Sequence, residues 1–489
     1  MTRVARNTTL IAIGQASVKA TQLVLAVLLV RLMSPAEWNE AAFLLSIYLA
    51  GTTIGNLNLH HGIVFFLPRV EAGKRRNLVM QNVRLLLAMG TIIMLGLIAA
   101  KPLFVGGALG DGNVLPWLGL AIALELPAAC FGMTLIGLER FVGVAIWDLA
   151  GTVLVLSGAI MPVLAGYGVA GLVMGLIVAG AIRFLSGVLL VYRSLPGSAG
   201  GLGRAFLLEQ LRYGIPLGAT IAVAMLNRLV DKWFIAAFES DDFGIYAVAA
   251  QEVPLLAVLP YAGGAALITK LVDAFHERDL AGARAHWIQL TSSMSLLVAP
   301  LGVGLILIAP DLIPSVFGRE FAAGVLPFQL FTAVTVHRVA EYGMLLRAAG
   351  KTRELLIVAS VTLGSNFVLA GFGAWAGGMT GSAVGTLVAS AIGWLTALHF
   401  IGQALDVSVR RAFPWARWLS AVGVSTAAAC AAYLVAVPAD VTSMARAALQ
   451  LAVFLVLVVP GMRFLARTEA SLPPDGPTER PPAAMRSLI

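Results

Sequence analysis

Stretches of about twenty apolar residues follow one another along nearly the whole chain, separated by short polar connections. Such a stretch, wound as a helix, crosses a hydrocarbon core of about 30 Å. A membrane β-strand would need only about ten residues with every second side chain polar, whereas runs such as 153–163 and 447–459 show no alternation. The pattern predicts an all-α polytopic membrane protein. Its segments lie at 10–33, 41–67, 85–103, 115–138, 142–164, 170–192, 213–238, 243–268, 290–309, 325–346, 355–375, 382–400, 415–435 and 445–464, about fourteen transmembrane helices. An even number places both termini on the same side. Although Met1 to Arg6 looks like the start of a signal peptide, the apolar run after it is interrupted by Lys19 and continues to Arg31, so it reads as a retained first helix.

Composition agrees, with 59% hydrophobic and 12% charged residues, against about 25% charged in ordinary soluble domains. The net charge of +8 is explained by topology and not by nucleic acid. With the termini cytoplasmic, basic clusters such as Lys74 to Arg76, Arg410 with Arg411, and Lys351 with Arg353 fall on the inner side, while the outer connections hold only Lys101, Arg319 and Arg446. That is a positive-inside bias, and it implies a bacterial inner membrane protein with both ends in the cytoplasm. The outer turns carry the acids Glu37, Glu239, Asp241 and Asp242. Cys130 and Cys430 each sit in an apolar run, which gives a disulfide framework or a thiolate metal site no support. No connection is long enough to hold an extramembrane catalytic domain, so the chain reads as a non-enzyme. The proline-rich end, 469–489, is expected to be a disordered cytoplasmic tail.

A faint repeat divides the chain. The turn from Ser34 to Ala41 matches Glu239 to Tyr246 at an offset of 205, and Leu135 to Phe141 matches Leu346 to Thr352 at an offset of 211. Six segments separate the members of each pair, so the copies run in parallel. The expected organisation is a first six-helix lobe at 1–200, a second at 201–408 facing it across a central cavity, and a terminal helix pair at 409–468.

The stretch Asn227 Arg228 Leu229 Val230 Asp231 Lys232 Trp233 Phe234 Ile235, with Phe243 Gly244 Ile245 Tyr246 after it, resembles the polysaccharide flippase family. That family comprises the O-antigen and exopolysaccharide exporters of the multidrug/oligosaccharidyl-lipid/polysaccharide (MOP) superfamily. The turn from Leu346 to Arg353 also resembles the family pattern, and hydropathy and spacing agree over nearly the whole chain. Asn39 departs from it, standing where the family usually has glycine, and the first helix lacks the acid common in cation-coupled drug exporters. The resemblance implies a V-shaped pair of lobes with alternating access. It implies a flippase that moves a polyprenyl-pyrophosphate-linked oligosaccharide from the cytoplasmic to the periplasmic leaflet. Its partners would be that lipid-linked oligosaccharide, membrane lipids, and the polysaccharide polymerase and glycosyltransferases of the same pathway, with the protein itself a monomer.

Charges at bilayer depth are costly and therefore informative. A pyrophosphate needs cations to replace its water, and arginine or lysine facing one cavity supplies them. Lys19, Arg31, Arg228 and Lys232 lie on segments 10–33 and 213–238, the equivalent first helices of the two lobes, and are the candidates for the anionic head group. Asn56, His60, His61, Asp231 and Glu252 are candidates for sugar contacts or for ion coupling. Glu125, Asp148, Arg183, Arg338 and Glu341 read as paired, scaffold charges. Arg228 with Asp231 and Arg338 with Glu341 are each three residues apart, the spacing that lets a pair neutralise itself on one helix face. No metal or cofactor is expected, and transport can draw on a proton or sodium gradient. Two other classes compete with a flippase of lipid-linked sugars: a cation-coupled drug or lipid II exporter of the same superfamily, and a membrane glycosyltransferase or polymerase. The first is distinguished by substrate-stimulated ion flux. The second would need a large loop bearing catalytic side chains.

Overall fold

Inside a bilayer the backbone must satisfy its own hydrogen bonds, and for an apolar run the helix does so within one segment. A computed structural model describes residues 21, 24–104, 113–197, 202–436 and 441–470, and the described elements are helices with no strand among them. In chain order they are α1 (24–32), α2 (Pro35–Ile54), α3 (Leu59–Phe66), α4 (Arg75–Phe104), α5 (Leu115–Glu125), α6 (Ala128–Gly137), α7 (Phe141–Leu164) and α8 (Gly168–Ser194). The second part holds α9 (Gly203–Phe238), α10 (Phe243–Ala249), α11 (Pro254–His276), α12 (Leu280–Phe317), α13 (Val325–Val336), α14 (Tyr342–Ala348) and α15 (Thr352–Ala404). It is followed by α16 (Trp415–Ala436) and α17 (Ser443–Ala470). Ten of the described helical stretches are long and apolar enough to cross a membrane, or eleven if Ser240–Ala249 and Pro254–Tyr261, bent by 52°, cross together. The candidate cation Lys19, and the tail from 471 onward, lie outside the described residues.

Several predicted segments are helices broken near mid-membrane. Segment 41–67 becomes α2 and α3 because Leu57 and Asn58 adopt left-handed backbone, with φ of 45° and 56°. Segment 115–138 becomes α5 and α6 at Leu126 and Pro127, where proline has no N–H to continue the ladder. In the second part, α10 and α11 are separated by 250–253, which ends at Pro254, and α13 and α14 by 337–341. The broken segments are thus the second and fourth of each part. α15 is two helices joined at Gly377 and Gly378, where Gly378 has φ of 58° and the Met379 N–H donates to Glu239 Oε2 at 2.9 Å. Its two arms pack backbone to backbone: a Cβ added at Gly373 would sit 2.1 Å from the Gly381 carbonyl oxygen. Small residues allow this approach between helices that share no hydrophobic drive.

Packing follows the chain. α4 lies on α5 and α7 on α8 in the first part, α9 on α15 and α11 on α12 in the second, and α16 and α17 both rest on α12. Indole hydrogen bonds tie the terminal region down, Trp418 Nε1 donating to the Val336 carbonyl at 3.0 Å and Trp287 Nε1 to the Ala412 carbonyl at 2.9 Å. The two parts meet where α2 and α3 pack on α9 and where α2 packs on α10.

Hydrogen bonds join the two parts at the end bearing the acidic turns. Asn39 donates from Nδ2 to the Ser240 carbonyl and accepts the Gly244 N–H, both at 2.6 Å, and Trp38 Nε1 donates to the Gly244 carbonyl at 3.0 Å. Asn39 and Gly244 are the residues that the sequence offset of 205 aligns, and they are hydrogen-bonded to each other. Phe43 and Phe243 add an edge-to-face contact at 5.2 Å. At the opposite, basic-loop end, Asn82 Nδ2 donates to Gln210 Oε1 at 2.8 Å, and Phe65 stacks on Tyr213 at 4.7 Å.

Candidate functional site

Arg228 lies ten residues before the end of α9 at Phe238, about 15 Å along the axis at 1.5 Å per residue, and therefore deep in the span. Its Nη2 is 3.2 Å from Glu252 Oε2, and the two side chains remain 46% and 35% exposed. Glu252 is carried by the non-helical link 250–253, which lets a carboxylate reach across to α9. A half-exposed ion pair at this depth must face a hydrated cavity, because lipid contact with it would cost several kcal/mol. Arg338, in the second broken segment, interacts electrostatically with both Glu252 and Arg228. Its neighbour His337 is held by Ser390, Nε2 to Oγ at 3.1 Å, and lies over Trp394 with ring centres 5.0 Å apart.

These partners correct the pairings expected from sequence. Arg228 is neutralised by Glu252 and not by Asp231, and Glu341 pairs with Arg347 and not with Arg338. Spacing of three residues favours a pair only while the helix runs on, and 337–341 is not helical. Asp231 is buried, 2% exposed, and accepts a hydrogen bond from the Tyr246 hydroxyl at 3.0 Å, which also lies 3.1 Å from Ser382 Oγ. Lys232 Nζ donates to the Arg228 carbonyl at 2.8 Å and lies 3.9 Å from Asp231 Oδ1. A turn earlier, Asn366 Nδ2 donates to the Asn227 carbonyl at 3.0 Å, and its Oδ1 accepts from Thr386 Oγ1 at 3.0 Å. Asn366, Ser382 and Thr386 were not singled out from sequence, and Tyr246 only as part of the Phe243 Gly244 Ile245 Tyr246 stretch. Asn366 had a signal, being an amide inside the apolar run 355–375.

Arg31 is exposed, and its Nε and Nη2 donate to the Val316 and Ser315 carbonyls at 2.8 and 2.5 Å. It thus caps the last turn of α12, whose carbonyls have no intrahelical partner, and a cation there also suits the helix dipole. In the first part, Glu125 and Arg183 form a close ion pair with side chains only 17% and 18% exposed, and Asp148 interacts electrostatically with Arg183. Glu125 Oε2 and Arg183 Nε have no further partner among the described residues. At the α2–α3 break, His60 and His61 lie with ring centres 4.2 Å apart. Asn56 Oδ1, both polar atoms of Asn58, and His60 Nδ1 are buried without hydrogen-bond partners among the described residues. No cluster of three His, Cys, Asp or Glu side chains that could hold a metal ion occurs among those residues.

Ten or eleven helical stretches able to cross a membrane, several of them broken and carrying charge, define a multi-pass membrane protein. The comparisons narrow the class. The family described as "Polysaccharide biosynthesis protein" matches residues 28–326 of the chain's 489, and the chain belongs to that family. Among solved structures it is similar to the lipid II flippase MurJ in an inward closed conformation, with 15% identity over 93% of this chain and 99% of that one and a TM-score of 0.71. An inward-facing multidrug resistance MATE transporter of the MOP superfamily matches with 16% identity over 81% of this chain and 99% of that one, TM-score 0.60. A MOP transporter from Pyrococcus furiosus, described as having a binding pocket of reverse polarity, matches with 16% identity over 83% and 96%, TM-score 0.55. The fold is therefore that of the MOP transporters. A search of curated protein sequences found no match.

Proposed function

We propose that the protein is a flippase that carries a polyprenyl-pyrophosphate-linked oligosaccharide from the cytoplasmic to the periplasmic leaflet of a bacterial inner membrane. The observation that carries this reading is the half-exposed Arg228–Glu252 pair at mid-depth, with Lys232 and Arg338 beside it. Glu252 neutralises Arg228. An arriving diphosphate competes for the guanidinium, which grips two phosphate oxygens at once, while Lys232 adds a point charge. Because Glu252 is present to take the arginine back, the head group is held without being trapped. Membership of the polysaccharide biosynthesis family and the likeness to a lipid II flippase fold support a lipid-linked cargo.

In this reading residues up to about 200 and 201–408 are the two lobes, which rock about the contact of α2 and α3 with α9 and α10. Residues 409–468 form an added pair, both termini face the cytoplasm, and the protein works as a monomer. Asp231 and Glu252 are the groups through which a proton or sodium gradient would act. Deletion of the gene should make lipid-linked intermediates accumulate in the inner leaflet and deplete surface polysaccharide. Normal polysaccharide in the deletion strain would contradict the proposal.

A further inference from the structure

The two parts of the chain do not touch evenly along α2 and α9. Between the contacts at either end lies a crevice of about 620 Å³, open along one side and walled by α2, α4 and α9. Phe43, Ile47 and Ile54 face it from α2, Ile93 and Leu97 from α4, and Trp233 from α9. Every residue lining it is apolar. It follows α2 from Phe43 to Ile54, about 16 Å at 1.5 Å per residue, so it is a slot along the membrane normal. Both ends are stopped. Phe43 meets Phe243 at one, and at the other α9 comes so close that a Cβ at Gly218 would lie 2.5 Å from the Leu57 carbonyl oxygen. A stopped, elongated, almost wholly apolar slot excludes phosphate and sugar, whose buried polar groups would go unpaired. It suits one hydrocarbon chain.

Its position selects which chain. Trp233 in its wall is five residues beyond Arg228 on α9, about 8 Å along the same axis. The two lie about 140° apart around α9 at 100° per residue, so an amphiphile with its anionic head at Arg228 reaches the slot with its apolar tail by passing round this one helix, about 10 Å across. We infer that the slot between α2, α4 and α9 holds the membrane-proximal part of the cargo's polyprenyl chain while the diphosphate is at Arg228, an inference that rests on the flippase reading above.

The test uses the full-length protein in proteoliposomes with two fluorescent probes, the same pyrophosphate-linked glycan on a full-length polyprenyl chain and on a two-isoprene chain. Ala237→Phe fills the slot. It should slow the long-chain probe by about fivefold or more, since an overfilled site resists the chain, and leave the short-chain rate within about twofold. Equal slowing of both probes, or no effect on either, overturns the inference. A second arm places a photoreactive residue in the wall, Ile93→p-benzoylphenylalanine. Cross-linking to the polyprenyl chain supports the assignment, whereas cross-linking only to phospholipid acyl chains overturns it. If the unaltered protein moves neither probe, the flippase reading itself falls, and the inference with it.

Discussion

The two parts of the chain treat their intramembrane charges in opposite ways. In the first, Glu125 and Arg183 face each other with side chains 17% and 18% exposed, sealed between α5 and α8. In the second, Arg228 and Glu252 make a looser contact at 3.2 Å and stay 46% and 35% exposed. Both pairs join a residue at or beside a helix break to a residue on a neighbouring long helix, so a common architecture has been put to two uses. A closed pair fixes how helices sit against one another. An open pair presents charge that something else can claim.

This contrast can be broken first at Arg183. Arg183→Ala leaves Glu125 buried without its partner, which should cost about 3–5 kcal/mol and show as a large drop in melting temperature in detergent. Arg228→Ala should do the reverse, keeping the melting temperature near that of the unaltered protein while lowering transport by at least about tenfold through loss of a charge-assisted contact. Equal thermal losses in the two variants would erase the distinction. Next in size is Asn39→Gly, which removes two hydrogen bonds of 2.6 Å between α2 and the start of α10. It should weaken closure at the acidic-turn end by about 1–3 kcal/mol, read as increased labelling of cavity cysteines from that side. Labelling unchanged from the parent would deny Asn39 a part in closure. The smallest effect belongs to Tyr246→Phe, which withdraws the hydroxyl from Asp231 and Ser382 and should cost about 1 kcal/mol of thermal stability with little change in transport rate.

Most of the fold was legible because a membrane helix is a local event: a run of apolar residues is sufficient, and the segments from 41–67 to 445–464 lie on described helix except at the breaks inside four of them. The breaks were less legible. Leu57 and Asn58 take left-handed backbone inside an otherwise apolar segment, and Asn56, Asn58 and the two histidines were the only hint. α9 starts at Gly203, ten residues before the apolar run at 213, since Arg204, Glu209 and Arg212 are good helix formers that hydropathy discounts. Charge partners were the least legible. The carboxylate beside Arg228 comes from a link 24 residues away, between 228 and 252, and the carbonyls capped by Arg31 lie 284 and 285 residues on. Spacing along one helix carries no information about either.

The claim that Arg228 is part of an anion-carrying cavity is tested most directly by reconstituting the protein and following a fluorescent polyprenyl-pyrophosphate-linked glycan from one leaflet to the other by reductant quenching. The account predicts transfer with the unaltered protein, loss of about tenfold or more with Arg228→Ala, and partial recovery with Arg228→Lys, which restores charge without the bidentate grip. Transfer by Arg228→Ala at the rate of the unaltered protein would contradict it.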